Sequence, residues 1–156
     1  MLTENVKAPK FRLQDKDGKE YTLESFKGKK LVLYFYPKDN TPGCSRQAAA
    51  FAAAYEEIKS LGAEVVGVSK DKEALQKKFA DAHGLEFPLI ADVDTTLLQT
   101  LGCWGEKVAC GRRTIGTLRT TYLVNEEGII EKIFTPKEIK TKIHAEQILA
   151  YLNNQA

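Results

Sequence analysis

Cys44 is the residue best suited to chemistry in this sequence. It lies in YFYPKDNTPGCSRQ (34–47), which starts as an apolar strand, turns through loop-forming residues and continues as a predicted helix. Unpaired backbone N–H groups and the helix dipole stabilise negative charge in the first turn of a helix, and the thiolate is the nucleophilic form of cysteine. The alternative is a structural thiol, because free cysteine is often simply buried.

Thr41 gives the loop a second reactive-site candidate, a hydroxyl three residues before Cys44. Thr41-Pro42-Gly43-Cys44 has the spacing of a Cys-x-x-Cys redox motif, with a hydroxyl in place of the first sulfur. A dithiol oxidoreductase needs both sulfurs, so this substitution counts against a thiol-disulfide reductase or isomerase, the second function considered. A third alternative is a binding or scaffold protein without catalysis, which fold alone would permit.

The pattern Pro37-x-x-x-Thr41-x-x-Cys44 resembles the active-site signature of the peroxiredoxins. The longer stretch FYPKDNTPGC is similar to the peroxiredoxin Q branch, also called bacterioferritin comigratory protein. The resemblance covers nearly the whole chain, with further similar stretches at 62–71, 87–92, 101–107 and 118–128.

This resemblance implies a thioredoxin-like fold and roles for four residues. Cys44 is the peroxidatic thiol, Thr41 offers its hydroxyl to the peroxide, Arg119 lies against the thiolate, and Pro37 shields the pocket. The implied reaction is the reduction of hydrogen peroxide and organic hydroperoxides through a cysteine sulfenic acid, in antioxidant defence. Thioredoxin or another thiol is the implied reductant, no cofactor is expected, and the branch favours a monomer. Independently of the resemblance, Gln47 lies one turn after Cys44 in the predicted helix and is interpreted as a supporting residue at most.

The chain departs from the branch where a second, resolving cysteine is often found. One such position is Ala49 here and the other is near Ala80, which leaves Cys103 and Cys110 as the remaining cysteines. Three explanations fit the sequence: a one-cysteine cycle with an external thiol, resolution through Cys103 or Cys110, or a deliberate replacement of cysteine by alanine at 49. We predict that excess peroxide oxidises Cys44 to sulfinic acid without an intramolecular disulfide.

Composition narrows the class of protein. The 156 residues suit a single domain spanning 1–156, and a net charge of +2 gives no reason to expect nucleic acid or a membrane surface as a partner. Three cysteines without framework spacing and no apolar leader favour a reducing, cytoplasmic location. His83 and His144 are isolated in sequence and far from short paired ligand spacings, so no metal site is expected.

The apolar pattern predicts the α/β class, with a mixed central sheet and helices on both faces. A β-hairpin extension around Asp17-Gly18 comes first. Strands and helices then alternate, and an antiparallel pair of strands precedes a last amphipathic helix. The pattern predicts strands over 31–36, 63–69, 87–92, 120–124 and 128–134, and helices after Cys44, over 71–82, over 94–101 and from about 139 to 152. Asp71 is the predicted N-cap of the second helix, and Gly84 its end.

Overall fold

A six-stranded mixed sheet forms the centre of the molecule. The computed structural model describes residues 4–8, 12–14, 19–37, 42–109 and 111–154. The sheet has the order β1-β10-β9-β4-β5-β6. Its strands are β1 (Val6–Lys7), β4 (Lys30–Phe35), β5 (Ala63–Ser69), β6 (Leu89–Ala91), β9 (Thr120–Val124) and β10 (Ile129–Phe134). β4, β5 and β6 run parallel, and the other pairs are antiparallel.

Within the described residues, four helices and a short 3-10 turn cover the sheet. The helices are α1 (Pro42–Ser60), α2 (Glu73–His83), α3 (Thr96–Thr100) and α4 (His144–Asn153), and the turn is Leu23–Phe26. Among the described helices, none combines the length and the apolar content needed to cross a bilayer.

The two faces of the sheet bury separate cores, and β4 contributes to both. Because side chains of a strand alternate between faces, Val32 and Tyr34 pack with α1, α2 and α4, whereas Leu33 and Phe35 pack with the 3-10 turn and α3. The unbroken apolar run LVLYFY (31–36) is typical of such a strand buried on both faces. The expected mixed sheet with helices on both faces is confirmed.

Two small ribbons stand outside the central sheet. β2 (Arg12–Gln14) pairs antiparallel with β3 (Glu20–Thr22), as the predicted N-terminal hairpin requires, although its turn lies outside the described residues. β7 (Trp104–Ala109) pairs with β8 (Arg112–Thr117), a ribbon that the sequence pattern did not predict.

Several predicted boundaries were wrong. Asp71 does not cap α2, because the helix begins at Glu73 and Lys72 occupies the N-cap position without a side-chain cap bond. α4 begins only at His144, so the segment from about 139 precedes the helix. The strand predicted over 87–92 is confined to β6. Gly84 does end α2, since its φ of 63° is a left-handed conformation that glycine adopts easily.

Candidate active site

Cys44 sits in the first turn of α1, directly after the loop that leaves the central strand. α1 begins at Pro42, and proline suits a first helical position because its missing N–H would have no partner there. Gly43 and Cys44 follow in the turn whose N–H groups the helix itself leaves unpaired. Cys44 is only 2% exposed and belongs to the core between the sheet and α1. Pro37, just beyond β4, is half-buried.

Arg119 reaches Cys44 across 75 positions of sequence. Its Nη2 donates to the Cys44 Sγ at 3.2 Å, and its Nη1 donates to Oε1 of Gln47 at 2.5 Å. Gln47 is fully buried and lies one turn after Cys44 on the same face of α1. The planar fork of one guanidinium therefore holds both the sulfur and the amide oxygen of the helix.

Strand pairing explains why Arg119 lies here. β9 runs antiparallel to β4 with Thr120 opposite Phe35, so the start of β9 lies beside the end of β4. Arg119 directly precedes Thr120, and the chain after Phe35 leads into α1. The sheet thus brings the arginine and the cysteine to the same edge, which sequence spacing alone could not predict.

A buried histidine network lies next to this pair. The amide of Gln147 accepts from the backbone N–H of Lys140 at 3.2 Å and donates to the carbonyl of Glu138 at 2.9 Å, which fixes its orientation. Its Oε1 lies 2.9 Å from His144 Nδ1, so Nδ1 must donate and the neutral ring accepts at Nε2 from the hydroxyl of Thr121 at 2.8 Å. The network ties the segment before α4 to the central sheet.

The pKa of His144 is lowered to about 4, mainly by burial and also by the positive charge of Arg119, while the hydrogen bond to Gln147 acts in the opposite direction. The ring packs edge-on against Phe51 and Phe134. His144 is therefore fully buried, and both of its ring nitrogens have hydrogen-bond partners.

Cys103 lies in the other core. It is fully buried among the residues on the opposite face of the sheet from Cys44, and burial raises the pKa of its thiol to about 12. Cys110 and Thr41 lie outside the described residues. Ala49 is exposed on α1, and Ala80 is buried on α2.

The arrangement brings together a thiol, a cation held beside it and the first N–H groups of a helix. Such a set can stabilise a thiolate and hold oxygen atoms of a substrate against it. Within the described part of the chain, no group of three or more His, Cys, Asp or Glu side chains could hold a metal ion.

Residues 5–133 match the sequence profile of the AhpC/TSA family. Bcp peroxiredoxin of Escherichia coli K12 is 38% identical over 149 residues, covering 96% of this chain and 94% of the relative. The chain belongs to the AhpC/TSA family. It is a peroxiredoxin, a thiol-dependent peroxidase, as the signature around Cys44 predicted.

Other relatives and solved structures agree. A Bcp peroxiredoxin relative from Helicobacter pylori J99 is 39% identical over 145 residues, covering 93% of this chain and 94% of the relative. A peroxiredoxin Q cysteine-to-serine variant from Xanthomonas campestris has a TM-score of 0.88 at 33% identity, covering 99% and 100% of the two chains. A similar variant from Xylella fastidiosa has a TM-score of 0.91 at 29% identity, covering 99% and 98%. The predicted thioredoxin-like fold is thereby confirmed.

Proposed function

We propose that Cys44 is the peroxidatic nucleophile of this enzyme and that Arg119 activates it directly. The observation that carries this proposal is the 3.2 Å contact between Arg119 Nη2 and the Cys44 Sγ at the start of α1. The cation stabilises the thiolate before the reaction, and its donors stay in place as charge moves onto the leaving oxygen.

The reaction balances as a transfer of one oxygen atom. The Cys44 thiolate attacks the outer oxygen of a hydroperoxide, the O–O bond breaks, and the leaving alkoxide or hydroxide takes up a proton to give an alcohol or water. Cys44 becomes a sulfenic acid. We assign to Thr41 a hydrogen bond to the peroxide and to Pro37 the exclusion of water from the pocket, as the family signature implies.

Alkyl hydroperoxides belong to the proposed substrate range together with hydrogen peroxide. The support is a Xanthomonas campestris bacterioferritin comigratory protein, 33% identical to this chain, whose trapped structures address its alkyl peroxide reduction activity. Reduction of the sulfenic acid then needs a thiol. The thiol displaces water to form a mixed disulfide, and a second thiol releases Cys44.

An external thiol, from thioredoxin or a small molecule, fits the residues better than an internal one. Ala49 and Ala80 occupy the positions where the branch often has its resolving cysteine, and Cys103 is sealed in the opposite core. We further propose that the chain acts as a monomeric unit in the cytoplasm, which the family resemblance supports. Light scattering and cell fractionation test these two points.

Replacement of Cys44 tests the central claim. Cys44→Ser should abolish peroxide consumption in an assay coupled to thioredoxin, because a hydroxyl is hardly ionised at neutral pH. Cys103→Ser is the matched control, and it should retain activity because Cys103 lies on the far side of the sheet. Activity at the unmodified level in Cys44→Ser, with native circular dichroism, would remove Cys44 from the mechanism.

A further inference from the structure

A basic depression opens beside the reactive cysteine. It has a volume of about 560 Å³, and four cationic side chains line it: Arg46, Arg119, Lys140 and Lys142. Pro136 and Ile139 give it an apolar wall. We call this feature the basic depression.

In the part of the chain that the structure describes, none of the four cations of the basic depression forms an ion pair. The nearby carboxylate of Glu138 is engaged elsewhere, because it accepts from the Thr135 hydroxyl at 3.0 Å and lies 3.7 Å from Lys132 Nζ.

Helix stability does not explain the charge of Arg46. It is the fifth residue of α1, just past the first turn, and the helix dipole near this end favours acidic residues over cations. Exposed cations that surround one depression repel one another, and this repulsion is relieved when an anion binds among them.

The depression and the reactive sulfur share one guanidinium. Arg119 lines the depression and also contacts the Cys44 Sγ. Thr141 and Arg119 both lie close to Gly43 in the first turn of α1. A Cβ added at Gly43 would be 3.8 Å from the methyl carbon of Thr141 and 3.5 Å from Arg119 Nη2. An anion held there therefore lies next to the first turn of α1.

We propose that the basic depression binds a carboxylate carried by the molecule that reacts at Cys44. Arginine and lysine both pair with carboxylates, and the apolar wall suits the hydrocarbon part of the same molecule. Two small molecules carry this chemistry to Cys44, a carboxylate-bearing organic hydroperoxide and a carboxylate-bearing thiol that reduces the sulfenic acid. The carboxylate itself is unchanged in either step. This inference rests on the proposed role of Cys44.

The experiment uses matched pairs of anionic and neutral reactants with the full chain. In the oxidation arm, the loss of the Cys44 thiol is timed with cumene hydroperoxide and with its para-carboxylate derivative. In the reduction arm, recovery of the thiol from the sulfenic acid is timed with β-mercaptoethanol and with thioglycolate. Rapid quenching with an alkylating reagent and peptide mass spectrometry follow Cys44 separately from the other cysteines.

The readout is the ratio of the anionic to the neutral rate constant. In Lys140→Gln/Lys142→Gln this ratio should fall about three- to tenfold in at least one arm, since two exposed ion pairs are lost. In the unmodified protein it should also fall as salt is added. Lys77→Gln/Lys78→Gln removes the same charge from the exposed side of α2 and should leave the ratio unchanged.

The arm in which the ratio falls identifies the source of the carboxylate. A fall in the oxidation arm assigns the depression to the hydroperoxide, and a fall in the reduction arm assigns it to the thiol. An unchanged ratio in both arms, or an equal fall in the α2 control, overturns the proposal. If Cys44 is not oxidised by either hydroperoxide in the unmodified protein, its proposed role as the nucleophile fails instead.

Discussion

At the scale of single residues, one arginine contacts both of the α1 side chains that form the site. Arg119 holds the sulfur of Cys44 with one nitrogen and the amide oxygen of Gln47 with another. Gln47 is neutral, so the hydrogen bond fixes the direction of the guanidinium without cancelling its charge. This bond therefore leaves the positive charge of Arg119 beside the sulfur of Cys44.

Replacement of Arg119 should slow oxidation of Cys44 strongly. Arg119→Ala removes a preorganised donor and should lower the second-order rate constant with hydrogen peroxide by about 10²- to 10³-fold. Arg119→Lys keeps the charge but cannot contact both partners with a planar fork, so we expect an intermediate rate. Stopped-flow measurements decide between these outcomes. A rate in Arg119→Ala within a factor of two of the unmodified protein would contradict direct activation.

His144 should make the fold sensitive to acid. Its pKa of about 4 in the folded protein lies below the ordinary value of 6.5, so the unfolded chain binds this proton more readily. The free energy of unfolding should therefore fall as the pH drops from about 6.5 to 4, by up to about 3 kcal/mol, and this contribution should then stay constant.

Urea unfolding at several pH values measures the effect. His144→Asn lacks the titrating ring, so the loss of stability between pH 6.5 and 4 should be smaller than in the unmodified protein by the same amount. Measurements at pH 8, where the ring is neutral in both states, give the cost of the substitution itself. Parallel pH profiles for the two proteins would rule out this contribution.

At the scale of elements, apolar periodicity predicted the central strands well. Strands β5 and β9 have the predicted bounds, because continuous apolar β-branched runs are typical of strands buried on both faces. The β7–β8 ribbon escaped prediction because it buries little. Its second strand is exposed over 112–115, and Ile115 is 71% exposed, so no buried face imposes an alternating pattern.

The candidate site was predictable only in part for a similar reason. A cysteine after a turn-rich loop indicated a helix start, and the resemblance to a family supplied Arg119. The contacts of Gln47 and His144 depend on strand order and helix packing, which local patterns do not encode. Spacing did place Gln47 on the same helix face as Cys44. Its hydrogen bond to Arg119, 72 positions away, could not be predicted from the local sequence.

Gly67 offers a test of packing between β4, β5 and β6. A Cβ added there would lie 2.8 Å from Leu89 Cδ2 and 3.0 Å from the Tyr34 ring, both of which are buried. Gly67→Ala should therefore lower the free energy of unfolding by about 1–3 kcal/mol. Gly105→Ala is the control, since its nearest contact would be an ordinary 3.6 Å and the expected change is within about 0.5 kcal/mol. Equal midpoints for the two variants in urea would contradict the tight contact.

At the scale of the whole molecule, the sheet separates the two described cysteines. Cys44 belongs to the core under α1, and Cys103 belongs to the core under α3. A disulfide needs Cα atoms within about 7 Å, which two cores on opposite faces of a folded sheet do not provide. The alanine-rich stretch of α1 from Ala48 to Ala54 also favours the helix over its unwinding.

Excess peroxide should therefore convert Cys44 to sulfinic acid without an intramolecular disulfide. Ala49→Cys should permit a disulfide with Cys44 once the first turns of α1 unwind, and it should protect Cys44 from overoxidation. Ala53→Cys places the same thiol one turn further along the exposed side of α1 and should protect less. Non-reducing peptide mapping measures the products. A Cys44–Cys103 or Cys44–Cys110 crosslink as the main product of the unmodified chain would overturn this prediction.

The sealed position of Cys103 has a consequence outside the catalytic cycle. With no exposed surface and a pKa of about 12, its sulfur reacts with an added alkylating reagent only when the second core opens. Its labelling rate under native conditions therefore counts those openings, much as amide hydrogen exchange does. Two events can therefore be followed separately in one chain: exposure to peroxide by oxidation of Cys44, and opening of the second core by alkylation of Cys103.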